Sequence, residues 1–128
     1  RSLPGSRFDE SEVKNSLVAD GCHLNECKLK NSIVGLRTNV QNNTTIENTI
    51  IMGADYYESD ENKEIPPIGI GKNCVIKNAI IDKNVRIGDN VKIINKENKN
   101  EMESDYYTIK DGLVVIPKNT IILNNSVI

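Results

Sequence analysis

Hydrophobic positions along this chain recur neither every three to four residues, as an amphipathic helix requires, nor in alternation over a long strand. Val18, Leu24, Leu29, Val34, Val40, Ile46 and Ile51 lie five or six residues apart, and the series resumes at Ile70, Ile76, Ile81, Ile87 and Ile93. Two residues before each stands a smaller or also apolar side chain: Ser16, Cys22, Cys27, Ser32, Thr38, Thr44 and Thr49, then Ile68, Cys74, Ala79, Val85 and Val91. Residues two apart face the same side of a strand, so each such pair points inward from a short strand. A longer step overlies the short one. Asn15-Ser16-Leu17-Val18 returns as Asn31-Ser32-Ile33-Val34, Asn48-Thr49-Ile50-Ile51, Asn78-Ala79-Ile80-Ile81 and Asn125-Ser126-Val127-Ile128, the first steps being 16 and 17 residues. Three short strands per turn, each followed by a corner, account for both steps and predict an all-β hexapeptide-repeat solenoid, a parallel β-helix of triangular section. Gly35, Gly71 and Gly88 directly follow inward aliphatics, and Asn42-Asn43 and Asp89-Asn90 supply corner residues that tolerate tight or left-handed backbone.

Two segments break the period. The step from Asn48 to Asn78 is 30 residues and that from Asn78 to Asn125 is 47, each about 13 more than whole coils require. This predicts inserted loops near 53–67 and 95–108 in a solenoid spanning 13–128, with residues 1–12 as a leading linker. The opening Arg1-Ser2-Leu3-Pro4-Gly5 lacks an initiator methionine and suggests a piece of a longer or processed protein.

Composition narrows the function classes. Sixteen basic and eighteen acidic residues leave a formal charge of −2, unlike a chain whose main task is neutralising nucleic acid phosphates. No apolar run approaches the roughly 20 residues of a membrane helix. Neither nucleic acid nor membrane is therefore expected as a partner. Cys22, Cys27 and Cys74 are odd in number and lack CxxC spacing; each occupies the small inward position, where a thiol packs as a modest hydrophobe.

Candidate chemistry is sparse. Gly69-Ile70-Gly71-Lys72 lacks the third glycine of a nucleotide loop, and its glycines suit corners. Glu58, Asp60, Glu61 and Glu64 lack calcium-loop spacing and read as a solvated acidic segment. No catalytic residue, metal or cofactor is expected within the domain. His23, the single histidine, lies between inward Cys22 and Leu24 and points out; it is the one general-base candidate for an acyltransferase reading, with no carboxylate evident to orient it. Tyr56, Tyr57, Tyr106 and Tyr107 form two pairs in the insertions, either anchoring an interface or covering their own coils.

Hexapeptide coils of this kind resemble the left-handed β-helix of acyltransferases and of sugar-nucleotide pyrophosphorylases. The segments MGADYYES (52–59), PIGIGKN (67–73), AIIDKNVRIGDNVKIINK (79–96) and IKDGLVVIPKNTII (109–122) resemble the C-terminal domain of ADP-glucose pyrophosphorylase, or glucose-1-phosphate adenylyltransferase. That resemblance implies a left-handed solenoid. It also implies a parent enzyme that makes ADP-glucose and pyrophosphate from ATP and glucose 1-phosphate in glycogen or starch synthesis, in bacterial cytoplasm or plastid stroma. Catalysis, with Mg and ATP, would belong to a nucleotidyltransferase domain absent from this chain. The implied partners are that catalytic domain, homologous subunits in a tetramer, and a phosphorylated activator such as 3-phosphoglycerate. Lys83 and Lys118 match the two lysines with which photosynthetic members bind that activator, and outward Arg86, Lys77 and Lys72 are further candidates for the same pocket. A purely structural assembly domain is the remaining alternative.

Overall fold

The computed structural model describes residues 5–58 and 65–128. Its first coil contains β1 (Arg7–Asp9), β2 (Glu12–Lys14) and β3 (Leu17–Val18), and the second β4 (His23–Asn25), β5 (Lys28–Lys30) and β6 (Ile33–Val34). The third contains β7 (Asn39–Val40), β8 (Thr45–Glu47) and β9 (Ile50–Ile51), and the fourth β10 (Gly69–Ile70), β11 (Val75–Lys77) and β12 (Ala79–Ile81). A fifth coil is built from β13 (Arg86–Ile87), β14 (Lys92–Ile93) and β17 (Leu113–Ile116), interrupted by β15 (Glu101–Glu103) and β16 (Thr108–Lys110), and β18 (Ile121–Ile122) begins a sixth.

Successive coils stack into three sheets. Sheet A is ordered β1-β4-β7-β10-β13-β18, sheet B β14-β11-β8-β5-β2, and sheet C β15-β16-β17-β12-β9-β6-β3. Pairing between coils is parallel and keeps like residues together: Leu24 lies beside Val40, Ile46 beside Ile76, and Ile81 beside Ile116. Leu24, Val34, Val40, Ile46, Ile76, Ile87 and Ile93 are buried, as are Cys22, Cys27 and Cys74 in the small inward positions. Burial pushes all three thiols upward, which suits core packing and disfavours the reactive thiolate.

The corners follow from asparagine chemistry. Among the described residues, sixteen non-glycine positions have φ between 47 and 67°, and twelve of them are Asn, a residue that tolerates left-handed backbone. Their amides also form ladders between coils, as in Asn15 Nδ2 to Asn31 Oδ1 at 2.6 Å and Asn43 Nδ2 to Asn73 Oδ1 at 2.9 Å. Gly71 has a steric reason instead: a Cβ there would collide with the Gly88 carbonyl on the next coil.

Two expectations need correction. Residues 7–12 are not linker, because β1 pairs along its length with β4 and belongs to the first coil. The second insertion is not a plain loop: β15 and β16 form an antiparallel hairpin whose second strand pairs antiparallel with β17. Buried Ile109, with Met102 and Tyr107 packed behind it, extends the core beyond the last complete coil, and this hairpin covers an edge that stacking alone leaves open.

Candidate functional site

Each passage from sheet C to sheet A turns along one edge of the prism, and Lys83 and Lys118 occupy equivalent points on it. Ile81 lies beside Ile116, and two residues later the Asn119 amide donates to the Lys83 carbonyl at 3.0 Å. The lysines therefore project from adjacent coils, about 4.8 Å apart in backbone spacing. The hairpin between β14 and β17 takes up the extra length between them without disturbing this register.

The first insertion leaves the coil at the same edge, and it brings carboxylates. Asn84 holds its start: the Asn84 amide donates to the Gly53 carbonyl at 3.0 Å, Asn84 Oδ1 accepts from the Asp55 amide at 2.9 Å, and Asn84 Nδ2 donates to Asp55 Oδ2 at 3.0 Å. Lys83 Nζ donates to the other oxygen, Asp55 Oδ1, at 3.0 Å. These hydrogen bonds, Lys83 foremost, hold the Asp55 carboxyl below its usual range, and the Lys118 ammonium acts in the same direction. Arg86 forms an ion pair with Glu58 and donates through Nη1 to the Pro66 carbonyl at 3.0 Å. Burial raises the Glu58 carboxyl, but Arg86 and the Ile68 amide outweigh it and the net direction is down. Arg37, at the same edge, donates to the Ala54 carbonyl at 3.1 Å and lies 6.0 Å from the Tyr57 ring centre.

Lys83, Lys118 and Arg86 thus share one edge of the solenoid. Lys72 and Lys77 do not join them. Lys72 sits at the corner between sheets A and B, and Lys77 lies on the outer side of sheet B, 4.0 Å from Glu47. Tyr57 folds back, its hydroxyl donating to the Gly21 carbonyl at 3.2 Å, yet its ring stays exposed, as does that of Tyr56. In the hairpin Tyr107 packs behind the core and Tyr106 is exposed. Asp60, Glu61 and Glu64 lie outside the described residues.

His23 does have a carboxylate partner, contrary to expectation: its Nε2 lies 2.8 Å from Asp9 Oδ2, with Arg7 3.8 Å from the same oxygen. The coil repeat was the signal, since it brings Asp9 beside Asn25, two residues from His23. The pair stays open on sheet A, 40% and 46% exposed. Asp55, Asn84 and Arg37 were missed because their meeting depends on where the insertion leaves the coil. A second missed feature was legible in the repeat: Leu17, Ile33, Ile50, Ile80 and Val115 align on the outer face of sheet C, the first three well exposed.

The model of the GLGC left-handed parallel β-helix domain matches residues 1–127. Over 136 aligned residues the chain is 46% identical to the chloroplastic/amyloplastic small subunit of glucose-1-phosphate adenylyltransferase from Triticum aestivum, covering all of this chain and 29% of that relative. The parallel pairing of successive coils in all three sheets agrees with a parallel β-helix domain. The chain belongs to the family of GLGC left-handed parallel β-helix domains, the β-helix domains of glucose-1-phosphate adenylyltransferases.

Proposed function

We propose that this chain is the regulatory and assembly domain of a glucose-1-phosphate adenylyltransferase, an enzyme joining ATP and glucose 1-phosphate into ADP-glucose and pyrophosphate, and that its lysine edge helps bind a phosphorylated activator such as 3-phosphoglycerate. The observation that carries this reading is the register that sets Lys83 and Lys118 at equivalent points of adjacent coils, both acting on one carboxylate. An effector bearing a phosphate and a carboxylate requires fixed positive charge, and two ammonium groups on neighbouring coils provide it. Arg86, three residues from Lys83, adds a third cation to the edge.

The bond-making chemistry is assigned to the rest of the enzyme. Mg and ATP are assigned with it to the catalytic domain, and the residues of this edge are given a binding role only. Activation then needs two states of the enzyme that differ in affinity for the effector. The relative's plastid label supports a plastid stroma as the setting.

The test is kinetic. Lys83→Glu and Lys118→Glu in the full-length enzyme should each raise the 3-phosphoglycerate concentration for half-maximal activation by about tenfold or more, since reversing a charge costs on the order of 1.4 kcal/mol at such a site. The rate without activator should change little. Unaltered activation in both variants would leave a purely structural domain.

A further inference from the structure

Two of the three cations of the lysine edge, Lys83 and Arg86, are already occupied from within the chain. Asp55 and Glu58, three residues apart in the first insertion, meet Lys83 and Arg86, three residues apart on the solenoid. The two pairs differ in exposure. Arg86 and Glu58 are 17% and 25% exposed, and Glu58 also accepts from the Ile68 amide at 3.0 Å, so this pair anchors the insertion. Lys83 and Asp55 are 45% and 43% exposed, which makes their attraction weak and open to competition from solution anions.

The Asp55 carboxylate nevertheless does not reach Lys83 by chance. Asn84, only 8% exposed and fixed at a corner with φ of 59°, holds both the backbone amide and the carboxylate of Asp55. A built support thus aims a weakly held carboxylate at the lysine an external anion needs. With Asp55 seated, the charges of Lys83, Lys118 and Asp55 sum to about +1; with it displaced, a ligand meets about +2.

We propose that Asp55 is an intramolecular counter-anion: its carboxylate occupies Lys83 in the unliganded protein, and a phosphorylated ligand binds by displacing it, so Asp55 sets the ligand concentration the site responds to. This rests on reading the Lys83–Lys118 edge as an anion site. The contact is autoinhibitory in sign, because whatever holds Asp55 on Lys83 opposes the ligand by the same free energy.

The experiment is calorimetric titration of the full-length enzyme with 3-phosphoglycerate at fixed low ionic strength, comparing parent, Asp55→Asn, Lys83→Gln and the double variant. Asp55→Asn should bind about 1.5- to 5-fold more tightly, the range expected for releasing an exposed ion pair. Lys83→Gln should bind more weakly, and in its background Asp55→Asn should add nothing, since the two effects are coupled. Asp55→Ser, neutral but without the amide, should tighten binding in the same direction and guards against a peculiarity of the Asn variant. If Lys83→Gln weakens binding and neither neutral variant tightens it, or if the gain survives without Lys83, the counter-anion is refuted and the anion site stands. If Lys83→Gln binds as the parent does, or no chain binds, the anion-site reading falls and takes the counter-anion with it.

Discussion

Asn84 shows how much one side chain settles at a corner. Its φ of 59° belongs to the left-handed region, which costs an ordinary side chain about 1–2 kcal/mol, and its amide holds both the backbone and the carboxylate of Asp55. Asn84→Ala should lower the stability of the domain by about 1–2 kcal/mol for the backbone alone, read as a lower urea midpoint with an unchanged slope. Asn84→Gly, which removes the same amide but relieves the backbone, should recover most of that loss. Equal losses in the two variants would shift the cause from backbone strain to the lost hydrogen bonds. That an Asn belongs at this corner is legible from the coil period. Its grip on Asp55 is not, because Asp55 lies 29 residues away across a break in that period.

At the scale of elements, the two insertions behave differently. The hairpin β15–β16 is strand because it continues sheet C, with Ile109 opposite Val114, whereas its sequence, read by the hexapeptide rule, suggested a loop. Neighbouring strands supply the pairing that a local reading lacks. The first insertion is instead pinned by charge, and pH should release it. Asp55 and Glu58 both have depressed carboxyls, so their contribution is fully present above the ordinary carboxylate range and is lost as pH falls through the lower folded values. The charged groups facing them are Lys83, Lys118 and Arg86. The amide resonances of Asp55 and Ile68, followed by NMR, should titrate with midpoints below the ordinary values of 3.8 and 4.5. Midpoints at or above those values would mean that the ion pairs do not hold the insertion in solution.

For the molecule as a whole, the three faces of the prism are unequal. Sheet B presents Lys28, Lys30, Glu47, Lys77 and Lys92 outward, while sheet C presents Leu17, Ile33, Ile50, Ile80 and Val115 in one row. A continuous aliphatic stripe on an outer sheet face is the kind of surface subunits bury. Within the proposed assembly role, Ile33→Ser with Ile50→Ser should reduce the particle mass of the full-length enzyme in light scattering. The isolated domain should keep its thermal midpoint within about 2 °C, since neither side chain is in the core. Unchanged mass would assign the stripe to a contact within one subunit.

The architecture was written in the chain because it rests on local chemistry repeated many times: an inward aliphatic, a small residue two before it, and an Asn or Gly at the corner. Each coil contacts mainly its neighbours, so a short-range pattern is enough to determine the stack, the core and the two lysines as outward-facing residues. Handedness came from resemblance to a family and not from the spacing. Only tertiary structure decided which charges meet across the first insertion: Asp55 on Lys83 and Glu58 on Arg86. These encounters depend on which edge a coil turns at and where an insertion leaves it. A side chain's partners there lie across an insertion, at sequence distances that no repeat specifies.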